Sequence, residues 1–205
     1  MDAMTAAVID DGRATTFSGR RASQMRVELD AFELLLRDAG VRSYGEIGAR
    51  HGDTFHHVMR SLPQGSHGVA LDLPGGLWGK GSSRGALNHA IADLRASGYD
   101  VSALYGNSQT TATCRIFRSR GPYDAILIDG DHTLVGVTHD WRNYREVAPI
   151  IAFHDIVGLG EVDKPTGSPV EVPLLWESIK RATKLKTVEL VAEGSRMGIG
   201  VVWTR

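Results

Sequence analysis

Residues 125–128, Ala-Ile-Leu-Ile, form an apolar run without polar alternation that stops at Asp129, Gly130, Asp131 and His132. A strand wetted on one face alternates apolar and polar side chains, whereas a strand covered on both faces does not, and such strands belong to parallel sheets wrapped by helices. The same design recurs at residues 150–153, Ile-Ile-Ala-Phe, which end at His154 and Asp155. Two such runs confine the chain to α/β architectures, where ligands lie beyond the carboxyl ends of the strands. Both runs deliver carboxylates and imidazoles to that edge, so the two strand tips are expected to meet in one site.

The rest of the chain alternates in kind. Apolar residues recur at helical spacing over 22–39 ahead of Gly40, a carboxyl cap. A strand at 41–47, a glycine turn at 48–53 and a helix at 54–62 halted by Pro63 follow. Strands at 68–73, 101–105, 123–128 and 150–153 then take turns with helices at 86–97, 110–117, 134–144 and 174–183. Two closing strands, 187–191 and 198–203, are spaced to pair as a hairpin. This order specifies a doubly wound α/β sheet. With 205 residues and 42% hydrophobic content, the chain suffices for one well-buried core. Residues 20–205 therefore read as a single domain, and residues 1–19, which lack a sustained period, as a flexible arm.

Charge and cysteine content narrow the partners. Twenty-three basic residues against 24 acidic ones give a net charge of −1, so no broad cationic surface is available for nucleic acid. A single cysteine, Cys114, excludes an intrachain disulfide and a multi-cysteine zinc site, and suits a reducing, cytoplasmic setting. No stretch has the length to span a bilayer, and the amino terminus lacks the basic start and apolar segment of a secretory signal. The apolar stripe of residues 22–39 is open to two uses, as a cover for the site or as the contact of a homo-oligomer.

Gly48 and Gly52 follow Glu46 at the end of a strand and open a helix, the setting in which backbone approaches a bound nucleoside. The spacing is not the Gly-x-Gly-x-x-Gly of a dinucleotide site, which disfavours a nicotinamide dehydrogenase. Asp72 ends the next strand, where an acidic side chain can accept from both ribose hydroxyls. The segment 75–82 is glycine-rich around Trp78 and suits a flap, yet it fails the P-loop pattern because Lys80 is followed by Gly81. Residues 163–169, beginning at Asp163, are placed to shape an acceptor pocket.

Taken together these residues resemble the class I S-adenosylmethionine-dependent methyltransferases, over roughly residues 43–203. Glu46-Ile47-Gly48 with Gly52 matches the family's first motif, Asp72 its ribose-binding acid, and Gly106-Asn107-Ser108 its adenine loop. Asp129-Gly130-Asp131-His132 and Phe153-His154-Asp155 are similar to motifs of a bacterial branch that methylates oxygen on sugars and small natural products. The resemblance implies a Rossmann-like, seven-stranded, mostly parallel sheet with an antiparallel last strand. It implies S-adenosylmethionine bound by Glu46, Gly48, Gly52, Asp72, Ser108 and Asp129, with Asp131, His132 and His154 catalytic residues facing a small-molecule acceptor. It also implies a divalent metal, Mg²⁺ or Mn²⁺, held by Asp129, His154 and Asp155, although an imidazole in that set tilts toward softer ions. Two other readings stand beside it: a metal-dependent nucleotide-sugar glycosyltransferase using Asp129-Gly130-Asp131, and a binding module without catalysis.

Overall fold

The computed structural model describes residues 13–15, 21–76, 84–162, 167–182 and 184–205. Trp78 and Asp163, expected to flank the site, lie outside the described residues. The chain runs β1 (Arg13–Thr15), β2 (Arg21–Met25), α1 (Arg26–Asp38), β3 (Ser43–Ile47), α2 (Asp53–Ser61), β4 (His67–Asp72), α3 (Arg84–Ala96) and β5 (Asp100–Tyr105). It continues with α4 (Thr111–Ser119), β6 (Ala125–Ile128), α5 (Leu134–Tyr144), β7 (Ile150–His154), α6 (Val172–Ala182), β8 (Thr187–Leu190) and β9 (Ile199–Trp203).

Seven strands form one sheet in the order β5-β4-β3-β6-β7-β9-β8. The pairs from β5 through to β7 are parallel, and β9 runs antiparallel between β7 and β8. Successive side chains of a buried strand serve opposite faces. Ala125 and Leu127 pack with Leu29, Phe32, Phe55, Met59 and Leu87 from α1, α2 and α3. Ile126 and Ile128 pack with Phe117, Val137, Tyr144 and Trp176 from α4, α5 and α6. The unbroken apolar runs of β6 and β7 are thus explained by helices on both sides. Burying Leu29, Phe32 and Leu36 of α1 contributes about 1.5–3 kcal/mol each.

From β3 the chain winds outward through β4 to β5, then returns across α4 to β6 on the other side of β3. That reversal opens a crevice above the carboxyl ends of β3 and β6. The loops after β3 and β6 touch at Gly48: its φ is +90°, and a Cβ there would stand 2.1 Å from the carbonyl oxygen of Asp129.

The amino-terminal part differs from expectation. Residues 22–25, read as the start of a helix, belong to β2, which pairs antiparallel with β1 inside the segment read as an arm. Over four residues the helical and strand periods are barely distinguishable, and strand pairing decided the outcome. Val27 and Leu34 point to solvent, so the buried stripe of α1 is narrower than its apolar count suggests.

Candidate active site

Three strand tips shape one half of the crevice. The amides of Gly48 and Ala49 both donate to the carbonyl of Leu71, tying the β3 loop to β4 at 2.8 and 3.0 Å. Asp72 is buried and its Oδ1 accepts from the backbone N–H of Arg50 at 2.9 Å, holding that residue at φ +50°. Gly52, at φ +84°, is the amino cap of α2, and a Cβ there would meet Leu87 at 2.8 Å. At β5 the Ser108 carbonyl accepts from the Cys114 thiol and the Tyr144 hydroxyl, both at 2.9 Å, which seats the loop on α4 and α5.

Glu46 is placed differently from a ligand in an open loop. It is 1% exposed, accepts from Tyr44 Oη at 2.8 Å, and takes a backbone hydrogen bond from Phe55 at the start of α2. Burial pushes its carboxyl up, the Tyr44 bond works against that, and the group settles at about 8.

The other half is a ring of ionisable groups. His132 Nε2 lies 3.2 Å from Asp129 Oδ1, and its Nδ1 lies 3.0 Å from Asp155 Oδ2. His154 Nδ1 lies 3.2 Å from Asp129 Oδ1 and 3.3 Å from Asp155 Oδ1, close enough for charge contact but without hydrogen-bond direction, and its buried Nε2 has no hydrogen-bond partner. Asp155 adopts φ +60°, a left-handed conformation that turns its carboxylate toward both rings. Burial draws both imidazoles down, but the two carboxylates outweigh it and hold His132 at about 10 and His154 at about 9. Burial likewise opposes ionisation of Asp129 and Asp155, and the adjacent histidines prevail, keeping both below the usual carboxylate range.

The structure therefore brings Asp129, His132, His154 and Asp155 together at adjoining tips of β6 and β7. Asp131 is turned elsewhere. Its Oδ1 accepts from Thr133 N and Oγ1 at 3.0 and 2.8 Å, and its Oδ2 accepts from Gln109 Nε2 at 3.1 Å. Gly136 leaves it room, since a Cβ there would stand 2.0 Å from Asp131 Cγ. Among the described residues the cluster able to hold a metal is Asp129, His154 and Asp155, with donor atoms all within 4.8 Å of one another. Asp131 is not among these three residues, and nothing in the structure supports the Asp-x-Asp reading.

Two amides escaped the sequence reading. Gln109 follows Ser108 directly, and its place in that loop was a usable signal. Gln24 is 3% exposed and donates from Nε2 to Asp129 Oδ2 at 3.2 Å, although no strand-tip pattern marks it.

No protein-family model and no curated protein matches the chain. Solved structures do share its fold. An O-methyltransferase from Bacillus cereus, in complex with S-adenosylhomocysteine, superposes with a TM-score of 0.60 at 17% identity, covering 85% of this chain and 80% of that one. The O-methyltransferase TomG from Streptomyces achromogenes, involved in tomaymycin synthesis and solved with S-adenosylmethionine, gives 0.61 at 14% identity, covering 89% and 81%. The chain thus has the Rossmann-like methyltransferase fold. Among the described residues, no helix is long and apolar enough to cross a membrane.

Proposed function

We propose that this protein is an S-adenosylmethionine-dependent methyltransferase that acts on an oxygen of a small-molecule acceptor. The observation that carries the reading is the junction of the two halves at Gly48, where a glycine loop braced by Asp72 touches the backbone of Asp129. A nucleoside-sized cofactor lies over β3, β4 and β5, with Asp72 toward the ribose and Ser108 beside the adenine. Its methyl end faces the ring of Asp129, His132, His154 and Asp155. Solved neighbours of the same fold hold S-adenosylhomocysteine or S-adenosylmethionine.

Methyl transfer is an in-line displacement, and the protein's main contribution is alignment of acceptor and sulfonium. A hydroxyl acceptor must also lose its proton. In the ring as it stands both imidazoles already carry a proton, His132 held at about 10 and His154 at about 9, so either can take the acceptor's proton only after giving up its own. The donor set fits a divalent cation. Two imidazolium protons and one M²⁺ carry the same charge, so exchange leaves the cluster neutral, and His154 Nδ1, the buried nitrogen that faces both carboxylates, makes no directed hydrogen bond. Asp129, His154 and Asp155 would hold the ion, which when bound acidifies an acceptor hydroxyl. The imidazole favours Mn²⁺ over Mg²⁺.

Calorimetric titration with S-adenosylhomocysteine, first with EDTA and then with Mn²⁺, tests the reading. Saturable binding with a stoichiometry of one is expected under both conditions. Absence of binding under both conditions would sink the methyltransferase assignment.

A further inference from the structure

We infer that Gln24 is a positioning residue of the site, acting through Asp129 and delivered to it by the amino-terminal ribbon. The inference rests on the methyltransferase reading for its purpose, but its geometry stands apart. The other contacts within the cluster come from the β6 and β7 tips. Gln24 comes from β2, 105 residues earlier, and its amide takes the one oxygen of Asp129, Oδ2, that neither imidazole contacts.

The ribbon is held in place on both sides of this contact. β2 pairs with β1, and one turn into α1 the buried carboxylate of Glu28 accepts from the backbone amides of Ala192 at 3.0 Å and Gly198 at 3.2 Å. The segment from Gln24 to Glu28 is thereby strung from the β6 tip to the loop joining β8 and β9. Between these anchors Gln24 has little freedom to do anything but face Asp129.

A carboxamide suits this task chemically. It donates a hydrogen bond to the carboxylate without adding charge to a cluster whose two acids and two imidazoles already balance. With Oδ2 engaged, rotation of the Asp129 carboxyl is restrained, and Oδ1 stays presented to His132 and His154. Partners of this kind, one bond removed from a metal, commonly change its affinity by about 10- to 100-fold when lost. The bond to Oδ2 also gives Gln24, a polar side chain only 3% exposed, the partner that its burial requires.

The test uses the full chain and the substitutions Gln24→Met, of similar length without a donor, and Gln24→Asn, which keeps the amide but draws it back by one methylene. Mn²⁺ affinity is read by electron paramagnetic resonance and S-adenosylhomocysteine affinity by calorimetry. Both variants are expected to weaken Mn²⁺ by about tenfold or more while leaving S-adenosylhomocysteine within about twofold. Equal Mn²⁺ affinity in the wild type and both variants overturns the inference, whereas loss of S-adenosylhomocysteine binding in the wild type overturns only the methyltransferase reading. Should the wild type bind no Mn²⁺, the imidazole ¹⁵N resonances of His132 and His154 decide: displacement of both in Gln24→Met supports the role, and unmoved resonances end it.

Discussion

Along the tips of β3, β4 and β5 the crevice is shaped by backbone, whereas along β6 and β7 it is shaped by ionisable side chains. In the first half the recurring elements are amides donating to the Leu71 carbonyl, a carboxylate spent on the Arg50 amide, and glycines where any Cβ would collide. In the second half four charged groups lie within 3.3 Å of a neighbour, each stabilised by the others against the cost of burial. The lesson is that the two halves respond to different substitutions: adding a methyl group damages the first, and removing a charge damages the second.

The largest effect is expected where the halves touch. Gly48→Ala places a Cβ 2.1 Å from the Asp129 carbonyl at a backbone φ of +90°. Thermal and denaturant unfolding should show a loss of more than about 4 kcal/mol, with cofactor and Mn²⁺ binding falling together. A wild-type-like melting curve would mean that the loop has room to relax, and the contrast would weaken.

Next in size is His154→Ala. It removes one of the two cations that balance Asp129 and Asp155, and urea titration should register a loss of about 3–5 kcal/mol. S-adenosylhomocysteine affinity should stay within a few-fold, and a parallel collapse of that affinity would show that the halves are a single unit. Asp72→Ala is the reciprocal experiment. Calorimetry should find cofactor binding weaker by about 1–3 kcal/mol, the usual cost of losing hydrogen bonds to a charged group, with Mn²⁺ affinity unchanged.

The last contrast is one of pH. The carboxyl of Glu46 moves from an ordinary 4.5 to about 8 on folding, so the native state binds its proton more tightly than the unfolded chain does. Its contribution is therefore complete below pH 4.5, declines as pH rises, and is gone above about pH 8. Glu46→Gln should flatten the decline of unfolding free energy between these limits. Curves that stay parallel across that range would show that Glu46 ionises normally.

Much of the scaffold was legible because burial on both faces of a strand leaves a mark in adjacent residues. Residues 125–128 and 150–153 could be read as central strands without reference to anything distant, and α5 begins and ends at residues 134 and 144 as its spacing indicates. The turn glycines and the strand-end acids at 72, 129 and 155 were legible for the same reason, since their places follow from the residues just before them. The start of α1 was not, because four residues carry too little period to separate helix from strand.

Neighbouring residues alone were enough to specify the alternation of buried strands and helices and the edge at which the polar strand-end groups collect. Local patterns suffice for that, because each strand reports its own burial. Which polar groups face one another was settled by the packing of distant elements. Asp131 lies two residues from Asp129 yet turns to Thr133 and Gln109, while Gln24 lies 105 residues away and reaches Asp129 directly. Side-chain direction at a strand tip depends on how the loop leaves the sheet and on what packs above it. Neither is encoded in a run of neighbouring residues, because both depend on elements that meet only when the chain has folded.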